Sequence, residues 1–185
     1  LTWRKPAPLV PRELRREVNE RLTRDGSIYR NLDERSVREA ARILKGKKVE
    51  SIAICLINSF ANGHHEQIVA DILRKEIPGI SLSISHEVLP EMREYERTST
   101  TVINAYVRPL VEGYLNTLER NLEDLKIGVP LQVMQSSGGV MSASRSRERP
   151  IFMVESGPAA GVMGSLHLGR RLDHGEIISF DMGGK

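Results

Sequence analysis

The sequence has 185 residues, 39% hydrophobic and 28% charged, a water-soluble globular composition with room for one ordinary domain or two small ones. Its net charge of +3 comes from basic residues scattered among acids, and the one short basic cluster, Arg145 to Arg149, is interrupted by Glu148; this excludes the concentrated basic stripe of a nucleic-acid groove. A single cysteine, Cys55, excludes a disulfide within the chain, and no apolar run reaches the roughly 18 residues that cross a bilayer, so the chain reads as a non-membrane, cytoplasmic protein with a buried thiol.

The opening stretch LTWRKPAPLVPREL carries three prolines and no methionine, and reads as connecting chain rather than a signal peptide. Residues 14–32 predict a hairpin turning at Asp25-Gly26. A helix over 33–45 follows: Asp33 caps it, Val37, Ala40, Ala41 and Leu44 recur at i, i+3, i+4 and i+7, and Gly46 ends it. ESIAICLIN is a nearly continuous apolar strand, which predicts burial on both faces. The loop SFANGHH leads into a second helix over 65–77 carrying Val69, Ile72, Leu73 and Ile77; Pro78-Gly79 stops it, and ISLSIS is the next strand. Adjacent His64 and His65 cannot share a helix face, and Val69 stands four residues after His65. Zinc ligation is therefore poorly supported, and His64-His65-Glu66 reads as a helix start with Glu66 favouring the dipole. Strand, helix, strand, helix, strand in this order favours parallel crossovers with helices packed on a sheet.

The second half opens with a long helical stretch over 97–125, lined on one side by Ile103, Tyr106, Val107, Leu110, Tyr114, Leu118, Leu122 and Leu125. Pro109 lacks an amide hydrogen and should kink it or divide it. Strand LQVMQS, a Gly-Gly turn, a polar loop, strand IFMVES, a helix from Pro158 to Arg171 and a closing strand EIISFD complete the pattern. Two α/β lobes dividing near Tyr95 to Ser99 fit this order.

Three segments suit phosphate chemistry. Asp181-Met182-Gly183-Gly184 reads as a strand ending in an acid and two glycines. Backbone amides can approach phosphate oxygens there because no Cβ intervenes, and the acid could hold magnesium. An ordinary turn is the competing reading. In ESGPAAGVMGS, Pro158 suits a first helical turn with Ser156 or Gly157 as cap, and free amides at that end favour an anion. The small residues Gly157, Ala159, Ala160, Gly161, Gly164 and Ser165 predict another backbone passing very close, with or without a functional role. QSSGGV offers the hydroxyls of Ser136 and Ser137 beside Gly138 and Gly139, and a tight structural turn is an equal reading.

The blocks NSFANGHHE, SISHEVLPEMREYERTSTTVINAYVRPL, MQSSGGVMSA, VESGPAAGV and ISFDMGG, in that order, resemble the hydantoinase A / 5-oxoprolinase family, nearest the N-methylhydantoinase A type. Related subunits occur in acetone and acetophenone carboxylases. The resemblance implies an α/β fold made of parts of two actin-like ATPase lobes, mixed sheets flanked by helices, joined by a long helix region. It implies residues 1–97 as the C-terminal part of the family's N-terminal region. Residues 98–185 would be the start of the hydantoinase A domain, truncated at its phosphate-binding hairpin, so the chain reads as a fragment that is inactive alone. The family's second hairpin reads Asp-Met-Gly-Gly-Thr, and Lys185 stands here where threonine is expected.

The roles implied by the resemblance are catalytic for Glu155 and Asp181, with Asp181 also holding Mg2+. ATP would be contacted by Ser137, Gly138, Gly139, Ser156, Gly157, Gly183 and Gly184. The implied activity is ATP-driven opening of a cyclic amide, 5-oxoproline or a hydantoin, with a hydantoinase B-type partner subunit and scope for homo-oligomers. The alternatives are a subunit of an ATP-dependent ketone carboxylase and a non-catalytic actin-like nucleotide switch.

Overall fold

The computed structural model describes residues 7–183, which fall into two compact units, one ending at Pro109 and the other beginning at Leu110. In the first, a 3-10 turn at Arg12–Leu14 precedes a hairpin of β1 (Arg21–Leu22) and β2 (Ile28–Arg30), antiparallel around Gly26 at φ +85°. The hairpin is much shorter than 14–32. The chain behind Pro11 coils instead of extending, and the register slips between Arg21 and Leu22. Asn58 and Asn62 hold it from the side, donating to the Leu22 and Gly26 carbonyls at 2.8 and 2.9 Å.

Helix α1 (Glu34–Gly46) begins where Asp33 accepts the Arg35 amide at 3.0 Å, and it buries Val37, Ala40, Ala41 and Leu44. The left-handed residue beyond it is Lys48, at φ +54°, not Gly46. Strand β3 (Ser51–Ile54) and strand β4 (Ser81–Ile84) pair in parallel from Ser51↔Ser81 to Ile54↔Ile84, joined through α2 (His64–Glu76). This is the expected crossover. Only one face of β3 is fully covered: Ile52 and Ile54 are buried while Ser51 and Ala53 are half-buried. The core of this unit is Val37, Ala41 and Leu44 of α1, Val69, Ala70, Ile72 and Leu73 of α2, and Ile52, Ile54, Leu82 and Ile84 of the sheet.

After the short helix α3 (Ser85–Val88), α4 (Glu94–Asp124) runs as one helix with Pro109 inside it, and is not divided. Its buried face also differs from the apolar line in the sequence. Arg97, Thr101, Asn104 and Ala105 face inward in the first unit, while Tyr106, Leu110 and Tyr114 are exposed. The reason is local chemistry: the inward positions meet polar groups, as where the Asn104 amide donates to Ser83 Oγ at 2.9 Å.

In the second unit, β5 (Gln132–Met134) and β6 (Val140–Ser142) form an antiparallel hairpin. The expected polar loop is α5 (Ala143–Glu148), capped by Ser142, and Arg147 of α5 donates to Asn116 Oδ1 at 3.0 Å and pairs with Glu119 of α4. IFMVES is not a strand. Pro150–Met153 is a 3-10 turn that leads to α6 (Ser156–Arg171). EIISFD is not a strand either, since residues 174–183 adopt no regular structure and Ile178 and Phe180 are exposed. Among the described residues, no helix is long and apolar enough to cross a membrane.

Candidate functional site

Two of the three glycine-bearing segments lie side by side in the second unit. Ser136, at the end of β5, donates its amide to the Phe152 carbonyl at 2.8 Å and its hydroxyl to the same oxygen at 2.9 Å, and it also bonds the Val154 carbonyl. These bonds tie the turn Ser137-Gly138-Gly139 to the corner Glu155-Ser156-Gly157 where α6 begins. Gly138 is doubly required. Its φ is +84°, and an added Cβ would stand 2.9 Å from Met163 Cγ of α6. Ser137 and Gly139 are exposed, and among the described residues the Ser137 hydroxyl makes only a long 3.4 Å bond to Gln135 Oε1.

The start of α6 differs from the expected cap. Glu155 is the residue before the helix, in the left-handed region at φ +61°, with no side chain capping the first turn. Ser156 is the first helical residue. An added Cβ at Gly157, Gly161 or Gly164 would meet nothing within 4 Å, so the predicted close-passing backbone is absent among the described residues. The corner thus offers uncapped helix amides, an exposed hydroxyl and open space over Gly157, which fits a phosphate. Glu155 is exposed beside it.

The third segment is not joined to this corner. Asp181 and Gly183 are exposed in irregular chain rather than at a strand tip, and among the described residues no hydrogen bond or ion pair holds Asp181. Gly184 lies outside the described residues. Magnesium keeps several waters and takes one or two carboxylates plus phosphate oxygens. Glu155 and Asp181 supply suitable oxygen donors, and among the described residues there is no ready-made group of three or more metal-binding side chains.

Sequence reasoning missed a buried polar cluster in the first unit. Glu66 of α2 is fully buried. Its Oε1 accepts the Leu56 amide at 2.8 Å and the Ser85 hydroxyl at 2.7 Å, and its Oε2 accepts the His86 amide and the His86 ring Nδ1, each at 2.9 Å. Burial pushes the Glu66 carboxyl up, but the bonds from His86, Ser85 and the two amides outweigh it and hold the pKa below its ordinary value. The bond to Glu66 raises His86 above its ordinary value against the opposing effect of burial.

Arg97 of α4, also fully buried, donates to Ser85 Oγ at 3.1 Å, to the Glu91 carbonyl at 3.0 Å and to the Leu56 carbonyl at 2.8 Å, and it pairs with Glu94. His65 Nδ1 meets Glu20 at 2.8 Å, both side chains being buried. Glu66 is therefore more than a residue favouring a helix dipole. The signal was present: Glu66, Val69, Ala70 and Leu73 fall at i, i+3, i+4 and i+7, which sets a carboxylate on the core face. Burial drives the Cys55 thiol up to about 12, as suits an inert packed cysteine.

Two sequence models match the chain: the hydantoinase/oxoprolinase N-terminal region over residues 2–77, and hydantoinase/oxoprolinase over residues 97–185. The caprolactamase subunit alpha of Pseudomonas jessenii is 36% identical over 95% of this chain and 25% of its own length. The crystal structure of the ATP-dependent caprolactamase from the same organism superposes with a TM-score of 0.86 at 34% identity, over 92% of this chain and 25% of that one. A nucleotide-free acetone carboxylase structure, from work on ATP-dependent acetone carboxylation, gives a TM-score of 0.83 at 32% identity, over 92% of this chain and 24% of that one. The 5-oxoprolinase of Saccharomyces cerevisiae is 34% identical over 85% of this chain and 12% of its own length. The chain thus spans a quarter or less of these relatives, and the α/β, actin-like ATPase architecture expected from the sequence stands with the two structural matches.

Proposed function

Since this chain belongs to the hydantoinase/oxoprolinase family, we propose that the whole protein carrying it is an ATP-dependent enzyme that opens a cyclic amide. The observation that carries this reading is the likeness to the caprolactamase subunit across nearly all of the chain. Cyclic amides are poor electrophiles because nitrogen donates into the carbonyl. ATP, when bound, supplies the phosphoryl group that makes the amide oxygen a leaving group.

The chain's own residues would bind and orient. Ser137, Gly138, Gly139, Ser156 and Gly157 would line the phosphate corner, and Gly183 and Gly184 would join it from the C-terminal segment. Glu155 would orient water or metal, and Asp181 would hold Mg2+. We place the family's N-terminal region over 1–97 and its next domain over 98–185, with a hydantoinase B-type subunit as partner and the cytoplasm as the setting. The likeness to acetone carboxylase supports a second reading, activation of a ketone and bicarbonate.

Phosphate release from magnesium-ATP by the full-length protein with its partner subunit separates the readings. Stimulation by 5-oxoproline, a hydantoin or caprolactam, lost in an Asp181→Asn variant, is the expected result. Stimulation only by a ketone with bicarbonate would transfer the protein to the carboxylases. Silence with every addition would leave a nucleotide switch.

A further inference from the structure

The phosphate corner leaves unused the buried polar cluster of the first unit, at the C-terminal ends of the two parallel strands. In parallel α/β sheets ligands gather at that edge, because the loops leaving it diverge. Here Ser85 and His86 directly follow β4, and the loop 55–63 directly follows β3. Glu66 fixes the His86 ring by taking its Nδ1 at 2.9 Å and its backbone amide at 2.9 Å. The carboxylate is fully buried, whereas the His86 side chain keeps 23% of its surface. No described residue hydrogen-bonds Nε2.

Gly63 makes room for this ring. Its backbone, at φ −77°, would suit any residue, yet an added Cβ would lie 2.3 Å from His86 Cδ2 and 2.5 Å from Nε2. A carboxylate that fixes one imidazole nitrogen and leaves the other free is the arrangement general acid–base catalysis uses.

We infer that His86 is the proton-transfer residue of ring opening, with Glu66 as its positioning residue and the cyclic amide approaching Nε2 at the C-terminal edge of β3 and β4. The inference rests on the cyclic-amide reading above. Amide nitrogen leaves poorly as an anion. Once water oxygen has added to the phosphorylated amide carbon, the C–N bond breaks and its electron pair takes the proton from Nε2, giving a free amine; the added oxygen gives up its proton to solvent and becomes the carbonyl of an acyl phosphate, from which a second water displaces phosphate. The imidazole, now neutral, regains a proton from solvent water. The charged groups facing the ring are Glu66 from α2 and Glu87 on its own helix, and both favour the protonated form. Arg97 of α4 reaches the cluster through Ser85.

The test uses the full-length protein with its partner subunit, measuring kcat/KM for ring opening across neutral pH. Wild type should lose activity as pH rises through the His86 pKa. His86→Gln should lower the rate by about 100-fold or more and abolish that limb, while its melting temperature and magnesium-ATP binding persist. If His86→Gln does not fold, Gly63→Ala, which displaces the ring without removing it, should lower kcat and shift the limb. Ring opening by either folded variant at the wild-type rate and pH profile would overturn the inference alone. So would a uniform drop with the limb in place. A wild type that opens no cyclic amide would sink the functional reading, and this inference with it.

Discussion

Glu66 is an ion in a place that normally excludes ions, and it persists there because four donors converge on its two oxygens. Such a group links folding to pH. Glu66 lies below its ordinary 4.5 when folded, so its contribution is present above that value and is lost as pH falls through the folded pKa. His86 lies above its ordinary 6.5 when folded, so its contribution is complete below that value and is lost as pH rises through the folded pKa. Stability from this pair should therefore be greatest between the two ordinary values and decline on either side. Melting temperature followed against pH checks this: the alkaline decline should shrink in His86→Gln, and an unchanged decline would show that other groups cause it. The residues of this cluster were only half legible in the sequence. Glu66 betrays itself by sitting in an apolar stripe, but nothing near it in sequence names Ser85, His86 or Arg97 as its partners. Those meetings are made by the crossover and by the start of α4, and the separations of up to 41 residues between bonded groups are invisible to local pattern.

Helix α1 and the parallel crossover of β3 and β4 were read correctly, whereas the two late apolar segments and the buried face of α4 were not. Helix α1 carries its own cap and stripe, so its sequence suffices. Removing the cap should cost about 1 kcal/mol. Asp33→Ala is thus expected to shift the urea midpoint downward without changing the slope, and an unchanged midpoint would show that the Arg35 amide finds another acceptor. IFMVES and EIISFD have strand-like composition but no strand beside them among the described residues, and a strand without a ladder leaves its backbone groups unpaired. α4 misled for the opposite reason. Its apolar line is real, but Arg97 and Asn104 bond inward to Ser85, the Leu56 carbonyl and Ser83, so the tyrosines of that line face out. Of the candidate site, the Gly-Gly turn and the helix start were legible as pieces. Their pairing through Ser136 was not, because Ser136 reaches two carbonyls at 16 and 18 residues' distance.

At the scale of the whole chain, what stands out is apolar surface left uncovered. Tyr106, Leu110 and Tyr114 recur at i, i+4 and i+8 along α4 and are 66%, 78% and 60% exposed. Ile178, Phe180 and Met182, near the C-terminus, are exposed at 95%, 81% and 83%. Single exposed apolar residues are ordinary, but a contiguous line of large ones along a helix marks a surface that contacts something. The relatives are nearly four times as long as this chain or longer, and in them the polypeptide beyond the matched part is ample to provide such a cover. The 185-residue chain alone is therefore expected to self-associate and to bind a hydrophobic dye, with apparent mass above its 20.8 kDa in gel filtration. Leu110→Glu with Tyr114→Glu introduces charge into the line without touching the buried face, since the helix buries Ala105 and Leu115 instead. That double variant should return the chain toward a monomer. If association persists unchanged, the α4 line is not its cause, and the exposed C-terminal residues become the surface to vary next.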